Sequence, residues 1–176
     1  VGWDSQFASV AGNGNTSLGE DALKAILTGG NSNVGIGYTA GQTITTGDEN
    51  IAIGVLSLNS NLTGNANVAI GHNTLNGSTT SNNTGVGYAA LQLNTSGSNN
   101  TALGLWAGRN NLTGSGNVFL GYLAGSNETG SSKLFIDNAS RADEADARVK
   151  ALIYGVFAAT TAAQTVSINA DSWQHL

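Results

Sequence analysis

Large apolar residues return along this chain in pairs, usually with one small residue between them, at a nearly constant interval. The unit opens on Asn and closes on Gly. Copies lie at Asn15–Gly19, Asn33–Gly37, Asn50–Gly54, Asn67–Gly71, Asn83–Gly87, Asn100–Gly104 and Asn117–Gly121, with Asn-to-Asn steps of 18, 17, 17, 16, 17 and 17 residues. Val1-Gly2 sits one period before the first copy, and Lys133-Leu134-Phe135-Ile136-Asp137 one short period after the last. A repeat this short and regular sets the architecture before any single residue is read.

Within one copy, Ile51 and Ile53 share a face and Ala52 takes the other, which is the period-two alternation of a strand. Gly54 ends it. Three residues later comes a small residue (Ala40, Ser57, Thr74, Ala90), followed by Leu or Gly. A second turn signal then recurs, as in Thr28-Gly29, Thr46-Gly47, Thr63-Gly64 and Thr113-Gly114. Each period therefore reads as two short extended segments and two turns, too short to hold a helix with its connections. The pattern predicts an all-β fold: a parallel β-solenoid of about eight 17-residue coils over residues 1–132, stacked about 4.8 Å apart.

Stacking puts like on like. With the large residues read as inward, the expected core is Val34, Ile36, Ile51, Ile53, Val68, Ile70, Leu103 and Leu120, joined from the facing segment by Leu58 and Leu62. The small residues Gly35, Ala52, Ala69, Gly85 and Ala102 then face outward. Asn15, Asn33, Asn50, Asn67, Asn83, Asn100 and Asn117 form a second column, whose amides can hydrogen-bond from coil to coil. So thin a core gains a few kcal/mol per coil at about 25 cal/mol per Å², against about 1–2 kcal/mol lost per ordered residue. Self-association through the small outward residues is the expected remedy.

Charge and composition narrow the picture. Only 10% of residues are charged and the formal net charge is −5, with no Lys/Arg cluster in the repeats, so no nucleic-acid surface is expected. No apolar run approaches the roughly 18 residues of a membrane helix. The chain has no Cys, which removes disulfides, thiolate metal sites and cysteine nucleophiles. It opens on Val in mid-repeat, and we expect it to be a piece of a longer protein. From Lys133 to Lys150 eight of eighteen residues are charged, against eight in the 132 before them, so 133–176 is expected to be a separate capping or connecting segment. Ala139 to Lys150 reads as a short solvated helix or a loop, while Leu152–Phe157 and Thr165–Asn169 read as strands.

No catalytic constellation stands out. His72 and His175 are the only histidines, and His72 occupies a variable surface position after the motif Gly. Asp48-Glu49 and Glu20-Asp21 are neighbours that would point apart on a strand. Asp143, Glu144 and Asp146 lack the Gly and terminal Glu of an EF-hand loop. No enzyme activity, cofactor or metal is therefore expected. Asn-x-Ser/Thr at Asn61, Asn94, Asn111 and Asn127 reads as turn chemistry. Tyr38, Tyr88 and Tyr122, with Trp106, are the candidates for an exposed aromatic strip that recognises a ligand such as a sugar.

The Asn-Val-Ala-Ile-Gly motif, with a small residue three places on, resembles the YadA-like head repeats of trimeric autotransporter adhesins and related repeats of phage tail fibres. The likeness covers about residues 1–132. It implies a left-handed parallel β-roll, three chains packed about a threefold axis, and attachment to a host surface by way of a glycan or protein receptor. The period is longer than that of the compact adhesin heads, which implies an enlarged outer loop. The segment Leu134–Asn138, with Leu152–Gly155 after it, resembles the stretch on the C-terminal side of such repeats in fibre proteins. A non-enzymatic trimeric fibre segment on a virion or outside the cell is thus the leading expectation, and a bacterial adhesin head the alternative. An ice-binding solenoid is a third, disfavoured because its Thr residues precede Gly at turns instead of forming a flat Thr-x-Thr strand.

Overall fold

In a computed structural model, the described residues are 13–26, 29–160 and 163–169. Val1, Gly2, Thr28 and His175 lie outside them. The chain is an all-β solenoid of about seven turns with one short helix. Its strands are β1 (Thr16–Leu18), β2 (Val34–Ile36), β3 (Ile51–Ile53), β4 (Val68–Ile70), β5 (Thr84–Val86), β6 (Thr101–Leu103), β7 (Val118–Leu120) and β8 (Lys133–Ile136). Helix α1 (Glu144–Lys150) comes next, then β9 (Ile153–Val156) and β10 (Thr165–Ile168). All ten strands form one sheet in chain order. From β1 to β8 the pairing is parallel, and β8–β9 and β9–β10 are antiparallel.

Register stacks equivalent residues: Val34 on Ile51 on Val68, Gly35 on Ala52 on Ala69, Ile36 on Ile53 on Ile70. The burial, however, is the reverse of the inward reading of the large residues. Ala52, Ala69, Ala102, Phe119 and Phe135 are fully buried, whereas Ile70 is 37% and Leu103 53% exposed. Val34, Ile36, Ile51, Ile53, Val68 and Leu120 are only partly covered, so none of the eight expected core residues is interior. Leu62 is also outside, at 51% exposure, while Leu58 is buried.

The reason lies in the facing wall. A Cβ placed on Gly35 would lie 2.6 Å from Leu23 Cγ, so the gap opposite the strand already holds a leucine. Leu23, Leu58, Leu75 and Leu91 fill it from the fourth position after the motif Gly, each fully buried. Where that position is Gly, another side chain takes the volume. Phe119 does so beside Gly108, where an added Cβ would fall within 2.7 Å of Phe119 Cε2, and Ile44 does so beside Gly41. One large side chain per layer fits, and the middle strand residue is normally small because the leucine opposite is not.

This facing wall is no second strand, contrary to the two extended segments expected per period. It is a run of turns in which the second and fourth residues after the motif Gly have positive φ, as at Leu56 (57°) and Leu58 (48°). Left-handed backbone costs about 1–2 kcal/mol at a residue with a Cβ. Burial of Leu58 and the inter-turn bonds Leu56 N–H to Tyr38 O (3.0 Å) and Leu58 N–H to Thr74 O (2.9 Å) offset that cost.

The size exchange is testable. Gly108→Leu alone should destabilise the array by about 1–3 kcal/mol through overpacking, and Phe119→Ala alone by about 3–5 kcal/mol through a cavity. Together they recreate the Leu91/Ala102 pairing, and urea denaturation of the double variant should recover part of the summed loss. Strictly additive losses would contradict the packing described.

Candidate functional site

Two side-chain ladders run along the solenoid in opposite senses. In the first, each motif Asn accepts at Oδ1 from the backbone N–H of the next Asn: Asn50 N–H to Asn33 Oδ1 (2.9 Å), Asn67 to Asn50 (3.0 Å), Asn83 to Asn67 (2.9 Å). Each Nδ2 donates across the turn, Asn50 to Gly64 O (2.8 Å) and Asn100 to Gly114 O (2.8 Å). The ladder ends where Lys133 N–H meets Asn117 Oδ1 at 2.8 Å. Two residues before each motif Asn stands Asn, Asp or Ser, and these accept in the other direction: Asn31 N–H to Asp48 Oδ1 (2.7 Å), Asp48 N–H to Asn65 Oδ1 (2.8 Å), Ser98 N–H to Ser115 Oγ (3.0 Å). Sequence reasoning missed this second ladder, although its signal, a short oxygen-bearing side chain at that position in every copy, was present.

Asn61, Asn94 and Asn111 are fully buried, and their Nδ2 groups donate to Gly64, Gly97 and Gly114. They are turn-forming side chains, closed to a modifying enzyme in this fold. In the last turn the same interior column carries Glu128, because the next layer is helix α1 and not another turn. Its buried carboxylate receives Arg148 Nε–H (2.9 Å), Arg148 Nη2–H (2.7 Å) and Gly130 N–H (2.7 Å). Burial pushes the Glu128 pKa up, but the Arg148 and Gly130 hydrogen bonds outweigh it and hold the acid below its usual range.

The helix joins the array at Ala147 and at its C-cap Ala151, both buried in the core, so it is a lid on the open end of the solenoid. Asp143 caps its first turn, Asp146 pairs with Lys150, and Glu144 with Arg148. All three acidic residues are thus engaged within the chain. Asp137 binds Arg141 through two hydrogen bonds of 2.6 Å. Among the described residues no group of three His, Asp or Glu side chains is placed to hold a metal ion. No described helix is long and apolar enough to cross a membrane.

Two exposed features remain. The first is the outward strand face, where Leu18, Ile36, Ile53, Ile70, Val86, Leu103, Leu120 and Ile136 stack in one aliphatic column. The second is aromatic. Tyr38, Tyr88 and Tyr122 are each 43–50% exposed but stand several turns apart. Only Tyr88 belongs to a ring cluster, stacked on His72 at 5.0 Å and 11° and set edge-on to Trp106 at 6.5 Å. The Arg109 guanidinium lies 5.2 Å above the Trp106 ring, and its Nε–H donates to Gln92 Oε1 at 3.0 Å. His72, expected to be an ordinary surface residue, is part of this cluster, and so is Arg109, for which the repeat pattern holds no expectation. What could have marked Arg109 is that no other Asp, Glu, Lys or Arg occurs between Glu49 and Glu128.

No protein-family model, curated protein or solved structure matches this chain.

The Glu128 geometry carries a pH prediction. A depressed native pKa stabilises the fold above the ordinary carboxyl value, 4.5, and that stability is lost as pH falls through the native value. The melting temperature should therefore drop on acidification below about pH 4.5. Glu128→Gln should lower the melting temperature at neutral pH and flatten the acid dependence. An unchanged acid profile in that variant would show that the lid is held by other contacts.

Proposed function

We propose that this chain is a non-enzymatic segment of a homotrimeric attachment fibre, a left-handed β-roll working outside the cell that made it, on a virion tail fibre or a bacterial adhesin. One observation carries the reading: an unbroken aliphatic column, eight residues long, on the outward face of a parallel sheet. With β-strand spacing of about 4.8 Å such a stripe is on the order of 35 Å long. A contiguous apolar surface of that length is characteristic of an interface. A second and third copy in the same orientation match it in length and chemistry, since each presents the same uniform column. The resemblance to trimeric adhesin and fibre repeats points to three chains.

The surface that mediates assembly in this reading differs from the one expected from sequence. Ala52 and Ala69 are interior, so the contact is made by the large residues and not the small ones. The attachment role rests on a rod with uniform columns, varied decoration at the position after each motif Gly, and the family resemblance. The receptor would be a glycan or a protein on the surface of another cell.

Sedimentation velocity at micromolar concentration should give a trimer. Ile53→Asp with Ile70→Asp should release folded protomers, because two carboxylates would be desolvated at each copy of the interface. Ala69→Trp should instead damage the fold itself. A parent protein that sediments as a stable monomer would overturn the assembly. Whole-cell binding by the assembled protein tests attachment. Its loss in a Tyr38, Tyr88 and Tyr122 triple alanine variant would place binding on the rod.

A further inference from the structure

We propose that His72, Tyr88, Trp106 and Arg109 form a recognition site for a sugar bearing a carboxylate, a deepening that rests on the attachment reading above. The four side chains are contiguous across three turns, from the His72–Tyr88 stack through the Tyr88–Trp106 edge contact to Arg109 over Trp106. Tyr88 is 48% exposed and the other three are partly covered, so ring surface is open to solvent. Aromatic rings with an apolar face and a polar rim suit a pyranose, which has both kinds of surface.

Charge selects the kind of sugar. Arg109 is the sole charged side chain of the Asp, Glu, Lys and Arg types between Glu49 and Glu128. Arg141, Arg148, Lys24 and Lys150 each have a carboxylate partner; among the described residues Arg109 and Lys133 have none, and of these two only Arg109 carries a guanidinium. Its hydrogen bond to Gln92 uses Nε–H, which leaves the terminal Nη groups as donors. The guanidinium is held in place by Gln92 and the Trp106 ring. A planar donor fork fixed beside an aromatic platform, on an otherwise neutral surface, is complementary to a carboxylate on a ring.

Two of the four residues, His72 and Tyr88, stand on a column suited to face away from the partner chains. In a parallel threefold assembly every residue near the axis meets its own copies. The aliphatic strand column tolerates this. The column after the motif Gly runs Glu20, Tyr38, Val55, His72, Tyr88, Leu105 and Tyr122, and turning it to the axis would bring three Glu20 carboxylates together.

The test uses the assembled protein at low ionic strength, with sialyllactose and tri-galacturonate as acidic probes and lactose as the neutral one. Binding is read by calorimetry and by tryptophan emission, with Trp106→Phe identifying the Trp106 contribution against Trp3 and Trp173. At least one acidic probe should shift Trp106 emission and bind at least about tenfold tighter than lactose, a preference of roughly 1.4 kcal/mol. Arg109→Gln should erase that preference, and Tyr88→Ala should weaken acidic and neutral probes alike. Sedimentation and melting of both variants should match the parent, which separates loss of the site from loss of the fold. Equal binding of lactose and the acidic probes would overturn the proposal. So would a preference that survives Arg109→Gln, or no binding to an intact assembly; each of these leaves the trimeric fibre reading standing.

Discussion

The gap between the strand wall and the facing wall admits one large side chain per layer, and most of the structure depends on that limit. Leu58, Leu75 and Leu91 occupy it from the turn side, so the strand side must offer Ala52, Ala69, Gly85 or Ala102. Phe119 is interior only because Gly108 and Gly125 vacate the space on either side of its ring. Tight packing of this kind leaves no room for compromise: a methyl group added at Gly35 collides with a leucine already in place. The Val and Ile residues are displaced outward, and the chain carries an apolar stripe on its surface.

A core this narrow is reinforced by polar order. Every described turn after the first contributes a buried Asn that bonds one neighbour through its Oδ1 and crosses its own turn through Nδ2. A parallel line of Asn, Asp and Ser side chains accepts in the reverse sense. The two ladders satisfy backbone N–H groups at turns where positive-φ residues interrupt regular strand pairing, and leaving those groups buried and unbonded would cost about 1–3 kcal/mol each. A stack has ends, however, where such ladders run out. At the C-terminal end, Glu128 replaces the Asn of its column and Arg148 arrives from helix α1 to meet it, while β9 and β10 reverse the sheet direction.

The outward surface carries two kinds of column. Uniform columns, which repeat one residue type from turn to turn, suit contact with identical chains. Columns that vary suit contact with something else, and the cluster at Tyr88, Trp106 and Arg109 lies on the varied side. A repeat protein gains this freedom because each turn's stability depends on its neighbours through the interior and the ladders, so outward positions can change without loosening the rod.

Periodicity alone determined that the chain is a stack of turns about seventeen residues long, where the motif strand of each turn lies, which residues align in columns, and that the motif Asn side chains form one of those columns. Residue type and local alternation marked strands at Leu152–Phe157 and Thr165–Asn169 in the tail, where the structure has Ile153–Val156 and Thr165–Ile168. Alternation with period two places Ile51 and Ile53 on one face and Ala52 on the other, but it is symmetric between inside and outside. Only the opposite wall breaks that symmetry, and its leucines sit in left-handed turns that a hydropathy pattern does not register. The contacts of Arg148 with Glu128, 20 residues earlier, and of His72 with Tyr88, one turn on, depend likewise on how the turns are stacked. Columns are a property of spacing along the chain; the side of the wall on which a column lies is a property of the volume between two walls.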